Sequence, residues 1–136
     1  SLTHTHTHSL SLSLSLMSQD AKLSNWQGAQ AYESALKTLV KTLKSRFDKP
    51  PRVVLMTPPP VYPGQLIGLN VTAANEEVPP AVERVRGALK LPPVVDVFQI
   101  LGGRRLDRPS MVCDGVHPTD EAVKKIAMLL SAAVKP

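Results

Sequence analysis

Apolar residues recur at helical spacing early in the chain. Tyr32, Leu36, Leu39, Val40, Leu43 and Phe47 fall three or four positions apart, while Glu33, Lys37, Lys41 and Lys44 take the other faces. The pattern predicts an amphipathic helix from Gln27 to Phe47, ended by Pro50-Pro51. Arg52-Val53-Val54-Leu55-Met56-Thr57 comes next as a short apolar run suited to a parallel strand buried on both faces. Thr57 to Pro63 then forms a proline-stiffened loop that cannot continue a sheet ladder. The stretch from Gly64 to Asn75 reads as irregular. Val78-Pro79-Pro80 opens a second helix through Leu89, with Val82, Val85 and Leu89 facing inward and proline suited to the first turn. Val94 to Phe98 reads as a second strand and Gly102-Gly103-Arg104-Arg105 as a turn. Val123, Ile126, Ala127, Leu130 and Val134 give the last segment a helical apolar stripe. Strands alternating with helices predict an α/β fold with a parallel sheet.

The first sixteen residues stand apart. Thr-His alternates from Thr3 to His8 and Ser-Leu from Ser9 to Leu16, the products of translating AC and CT dinucleotide runs. The chain therefore divides into a low-complexity segment, 1–16, and a domain, 17–136. Leu10, Leu12, Leu14 and Leu16 fit a strand with one apolar face. His4, His6 and His8 share a face as well, but no second cluster completes a coordination shell, so no metal site is expected. The segment lacks the basic start and continuous apolar core of a secretory signal.

Composition narrows the classes. The 136 residues suffice for one modest domain, and 43% hydrophobic content suits a globular one. No run approaches the roughly 20 apolar residues of a membrane span, so no membrane partner is expected. The formal charge of +5 is spread over Lys37, Lys41, Lys44, Arg84, Arg86, Arg104, Arg105 and the last helix. With one Trp, two Tyr and two Phe, the chain has little on which to stack bases, so a solvated surface is expected rather than a nucleic-acid partner. Arg104 and Arg105 either meet an anionic substrate or are solvated. Cys113 is the only cysteine, which excludes an internal disulfide. The adjacent Asp114 carboxylate opposes a thiolate, so Cys113 reads as a small buried hydrophobe rather than a nucleophile.

Candidate chemistry concentrates in Asp114-Gly115-Val116-His117-Pro118-Thr119-Asp120. His117 is the one histidine outside the repeat. Gly115 permits a tight turn after Asp114, and Thr119 can cap a helix opened by Asp120 and Glu121. Such a loop can hold a carboxylate against one imidazole nitrogen and turn the other to a substrate, the arrangement of a general base. The structural alternative is an exposed turn carboxylate followed by a loop histidine.

Asp-x-x-His-Pro before a terminal helix resembles the last catalytic block of the SGNH (GDSL-type) hydrolases. Two further stretches carry the resemblance, in the right order. Met17-Ser18-Gln19-Asp20-Ala21-Lys22 with Asn25-Trp26 looks like an altered Gly-x-Asn-Asp block, with Met17 in the glycine position and Gln19 in that of the oxyanion-hole asparagine. Leu55-Met56-Thr57-Pro58-Pro59-Pro60-Val61 is similar to the family's strand and proline loop. Within the family the chain most resembles sialate and acetylxylan-type carbohydrate O-acetylesterases.

The resemblance implies a three-layer α/β/α flavodoxin-like fold, truncated here and lacking its N-terminal strands. It implies a serine esterase acting on a small-molecule or carbohydrate ester, with Asp114 orienting His117, and no cofactor is expected. Gln19 is either an oxyanion donor or a polar loop residue; Tyr62 either borders the substrate or packs. No Gly-Asp-Ser nucleophile motif occurs in the 136 residues, so the chain as given is expected to be inactive. The alternative function is a non-catalytic carbohydrate-binding or interaction module.

Overall fold

Val53, Val54, Leu55 and Met56 are all buried, and they send alternate side chains into different cores. The computed structural model describes residues 9–11, 21–62, 68–105 and 115–134. In chain order its elements are strand β1 (Ser9–Ser11), helix α1 (Ala29–Ser45), strand β2 (Arg52–Val54), helix α2 (Val78–Ala88), the short helix α3 (Val97–Ile100) and helix α4 (Asp120–Val134). β1 lies parallel to β2 with Leu10 opposite Val53, so the Ser-Leu tract does supply a strand. Just beyond β2, a single parallel bridge from Met56 to Val95 extends the pairing, with Val95 N–H donating to Leu55 O at 3.0 Å and Thr57 N–H to Val95 O at 3.1 Å.

Helices cover both faces of this strand. Val53 and Leu55 pack with Leu36 and Val40 of α1 and Val78, Val82 and Val85 of α2. Val54 and Met56 pack with Val97 of α3 and with Ala122 and Ile126 of α4. A β-helix-β connection through α1 and another through α2 place both crossover helices on one side, as connections of one handedness require. The described residues are mostly helical. Their sheet is two strands and one further bridge, narrower than the broad sheet of the expected three-layer architecture.

Four expectations are corrected. Val94 to Phe98 does not continue as a strand: the ladder stops at Val95. Val97 N–H folds back to Val95 O at 3.0 Å, and the Asp96 carboxylate accepts from Gln99 N–H, capping α3. The irregular stretch through Asn75 is in part helical, since a π-helical turn, Ala73–Glu77, runs straight into α2. Pro79 and Pro80 explain the wide turn, because neither has an N–H and each ring crowds the carbonyl four residues back. In α1 the buried stripe narrows to Leu36 and Val40, leaving Leu39 and Phe47 exposed. In α4 it runs through Ala122, Ile126, Leu129, Leu130 and Ala133, while Val123 is 50% exposed. A sheet this narrow covers less of each helix than a full one.

Arg84 Nε sits 2.8 Å from Glu33 Oε1 and links α2 to α1. Arg84 is half-exposed, so this contact adds little beside the apolar burial. Replacing Leu55 by Ala is expected to cost about 2–5 kcal/mol, whereas Val123→Ser is expected to stay within about 0.5 kcal/mol. Urea melts followed by far-ultraviolet circular dichroism check both.

Candidate active site

The turn that carries His117 is fastened on both sides. Before it, Gly115 has φ +76° and packs directly on the backbone of Tyr62. Tyr62 N–H donates to Gly115 O at 2.9 Å, and a Cβ added at Gly115 would stand 2.8 Å from Tyr62 O. Only glycine meets both the dihedral and the space. After it, Thr119 Oγ1 accepts from Ala122 N–H at 3.3 Å and Thr119 O from Val123 N–H at 2.9 Å, so Thr119 is the N-cap of α4. Asp120 and Glu121 occupy the first turn, where the helix dipole favours carboxylates.

Val116 fixes the centre of the turn. It packs against a small cluster formed by Ala21, Val61 and Ala74, with Leu69 and Val71 alongside. His117, the next residue, is exposed. The chain thus buries Gly115 and half-buries Val116 while turning the imidazole-bearing residue outward. Such a placement suits a group that must meet a substrate.

The proline loop on which Gly115 rests is itself clamped. Asn75, at the π-helical turn, uses its side-chain oxygen to accept from Val61 N–H at 2.8 Å and its side-chain nitrogen to donate to Val61 O. One amide thereby satisfies both backbone groups of a residue that the prolines keep out of any ladder. Sequence reasoning missed Asn75, since a lone asparagine before two glutamates carries no such signal.

Tyr62, a candidate border of the substrate, is 3% exposed and lies in the core with Val54, Met56, Leu101 and Ile126. Asp114, Gln19 and Cys113 lie outside the described residues, as do His4, His6 and His8. Among the described residues no group of three His, Cys, Asp or Glu side chains is arranged to hold a metal ion, and no helix is long and apolar enough to cross a membrane.

A second polar arrangement went unread in the sequence. Thr57, three residues beyond β2, is buried; its hydroxyl donates to Asp96 Oδ1 at 2.9 Å and accepts from Phe98 N–H at 2.9 Å. It therefore joins the ends of the two strand segments and opens onto a hollow of about 520 Å³ beside Asp96, Gln99 and Arg104. His117 does not line that hollow.

Over most of its length the chain shares its fold with part of two solved esterases. The native aryl esterase of M. smegmatis superposes with a TM-score of 0.64 at 17% identity, over 86% of this chain and 56% of that one. Est24, a carbohydrate acetylesterase from Sinorhizobium meliloti, gives 0.60 at 16% identity, over 85% and 56%. In sequence the chain is similar to an acetylxylan esterase of Xylanibacter ruminicola, 24% identical over 88% of this chain and 27% of that protein. The chain thus spans about a quarter of that relative and a little over half of each solved esterase. No family model matches. The likeness to SGNH-type carbohydrate esterases drawn from the motifs agrees with these relatives.

Gly115→Ala is expected to destabilise the protein by about 1–3 kcal/mol through the left-handed dihedral alone, with a further cost from the Tyr62 contact. Amide spectra should show the disturbance centred on Val61, Tyr62 and His117. A neutral substitution with unmoved Tyr62 and His117 resonances would contradict the clasp.

Proposed function

We propose that this chain is the base-bearing part of an SGNH-type serine ester hydrolase of three-layer α/β/α architecture, acting on acetyl esters of carbohydrates. The observation that carries the reading is the exposed His117 on a turn clasped to the proline loop, in a chain with the fold of solved esterases. One relative is an acetylxylan esterase and another a carbohydrate acetylesterase, which supports the substrate class.

His117 would take the proton of a serine hydroxyl as that oxygen attacks the acetyl carbonyl. It would then return a proton to the departing sugar alkoxide, and water would release acetate by the same steps. Asp114 would hold the ring in the tautomer whose proton sits on the nitrogen away from the serine. Gln19, in the position of the oxyanion asparagine, would donate its amide to the developing negative charge. Its extra methylene makes it a poorer donor, because such contacts work only near 2.7–3.1 Å.

The 136 residues contain no Gly-Asp-Ser run, so no nucleophile is assigned within them. The chain alone is therefore expected to hydrolyse p-nitrophenyl acetate no faster than its His117→Ala variant. Turnover that His117→Ala abolishes would place a nucleophile within these residues and overturn the assignment of roles. The Asp-His pair is checked separately by ¹⁵N spectroscopy of the imidazole. Neutral His117 should carry its proton mainly on Nδ1, and Asp114→Asn should shift the population toward the Nε2–H form. No change on that substitution would remove Asp114 from the site.

A further inference from the structure

The hollow at the carboxyl ends of the strands is a candidate site that the His117 chemistry leaves unused. We infer that it binds one neutral sugar ring, held between the Asp96 carboxylate, the Gln99 amide and the Arg104 guanidinium. The choice of a carbohydrate rests on the esterase reading. The location and charge of the hollow do not.

Its position is the first argument. Thr57 and Asp96 directly follow the paired residues Met56 and Val95, so the hollow opens where parallel α/β sheets take ligands. At about 520 Å³ it falls within the roughly 300–1,000 Å³ of small-molecule sites.

Its polar groups are the second. Asp96 Oδ1 is pinned by Thr57 Oγ1 at 2.9 Å and Gln99 N–H at 3.2 Å, which fixes the carboxylate; Oδ2 has no bond among the described residues. Arg104 makes no ion pair among the described residues, although a fixed carboxylate lines the same hollow. Glu83, on the α2 wall, is already neutralised by Arg86 at 2.6 Å. One acceptor of full negative charge, one fixed fork of positive donors and one amide with both functions therefore remain.

Asp96, Gln99 and Arg104 are exposed, and the balance of their charges disfavours singly charged and apolar ligands. An anion drawn to Arg104 would meet Asp96, a cation drawn to Asp96 would meet Arg104, and an apolar molecule would strand both charges. A neutral ring with neighbouring hydroxyls, each donor and acceptor, satisfies both. Its C–H faces would lie on Pro79, Pro80 and Val94. His117 is not part of the wall.

Titration of the ¹⁵N-labelled full chain with xylotriose tests this. Amide resonances from Asp96 to Arg105 should shift saturably. Because charge-assisted hydrogen bonds contribute about 1.5–3 kcal/mol, Arg104→Ala should weaken binding about tenfold or more. Gln99→Ala should weaken it too, while Arg105→Ala, outside the wall, should bind as the parent does. The site is overturned by absence of saturable shifts, by binding unchanged in both variants, or by glucuronic acid binding more tightly than xylotriose. Because no turnover is needed, failure here leaves the His117 roles standing. Xylotriose binding in a chain whose Asp114→Asn variant leaves the imidazole unchanged would do the reverse.

Discussion

A strand that water cannot reach from either side organises this protein. Val53 and Leu55 point into one core and Val54 and Met56 into the other, so neither helical layer has a floor without β2 and the two residues that follow it. Full burial of a Val, Leu or Met side chain contributes about 1.5–3 kcal/mol each, and four such residues stand in a row. By comparison, the exposed ion pairs among the described residues contribute little. The strand also aims the chain beyond it: Thr57 and the proline loop leave its carboxyl end already oriented. Every later feature of the candidate site is fastened to that exit.

The fastening uses backbone more than side chain. Prolines deny the loop a ladder, and the Asn75 amide replaces one for Val61. Tyr62 then anchors on both levels, its ring in the core and its N–H on Gly115 O. Gly115 is glycine because the Tyr62 carbonyl occupies the space a Cβ would need. In this way the core under α4 sets where the histidine turn begins, and the Thr119 cap sets where it ends.

The parts of this arrangement that were legible in the sequence are those governed by local rules. The α1 and α4 periodicities, the β2 run and the Thr119 cap each come from spacing or from one residue's chemistry within a turn. The Asp96 turn was not legible, because Val94 to Phe98 satisfies strand propensity throughout. Only Thr57, 39 positions before Asp96, supplies the acceptor that Phe98 N–H takes. Likewise the π-helical turn before Pro79 needs the Asn70 side chain, which accepts from Ala73 N–H at 2.9 Å, to start it. Exposed Val123 and Phe47 fail for the opposite reason: their periodicity is sound, but the width of the sheet beneath decides how much of a helix is covered. Propensity reports what a segment can do, and contacts distant in sequence choose among those options.

That division bears on how the site and the hollow relate. On the proposed reading, His117 has to be exposed to meet a substrate yet held in place, and the two demands conflict on a loop. Neighbours divide them here: Gly115 and Val116 take the packing, Thr119 takes the helix cap, and His117 is exposed. Thr57 repeats the device at the other strand end, where a buried hydroxyl fixes Asp96 so that one carboxylate oxygen is committed to the protein and the other is not. Both places are tied to residues just beyond the same strand, Asp96 to Thr57 and Gly115 to Tyr62. On the proposed reading, a substrate touching both would be positioned from one core.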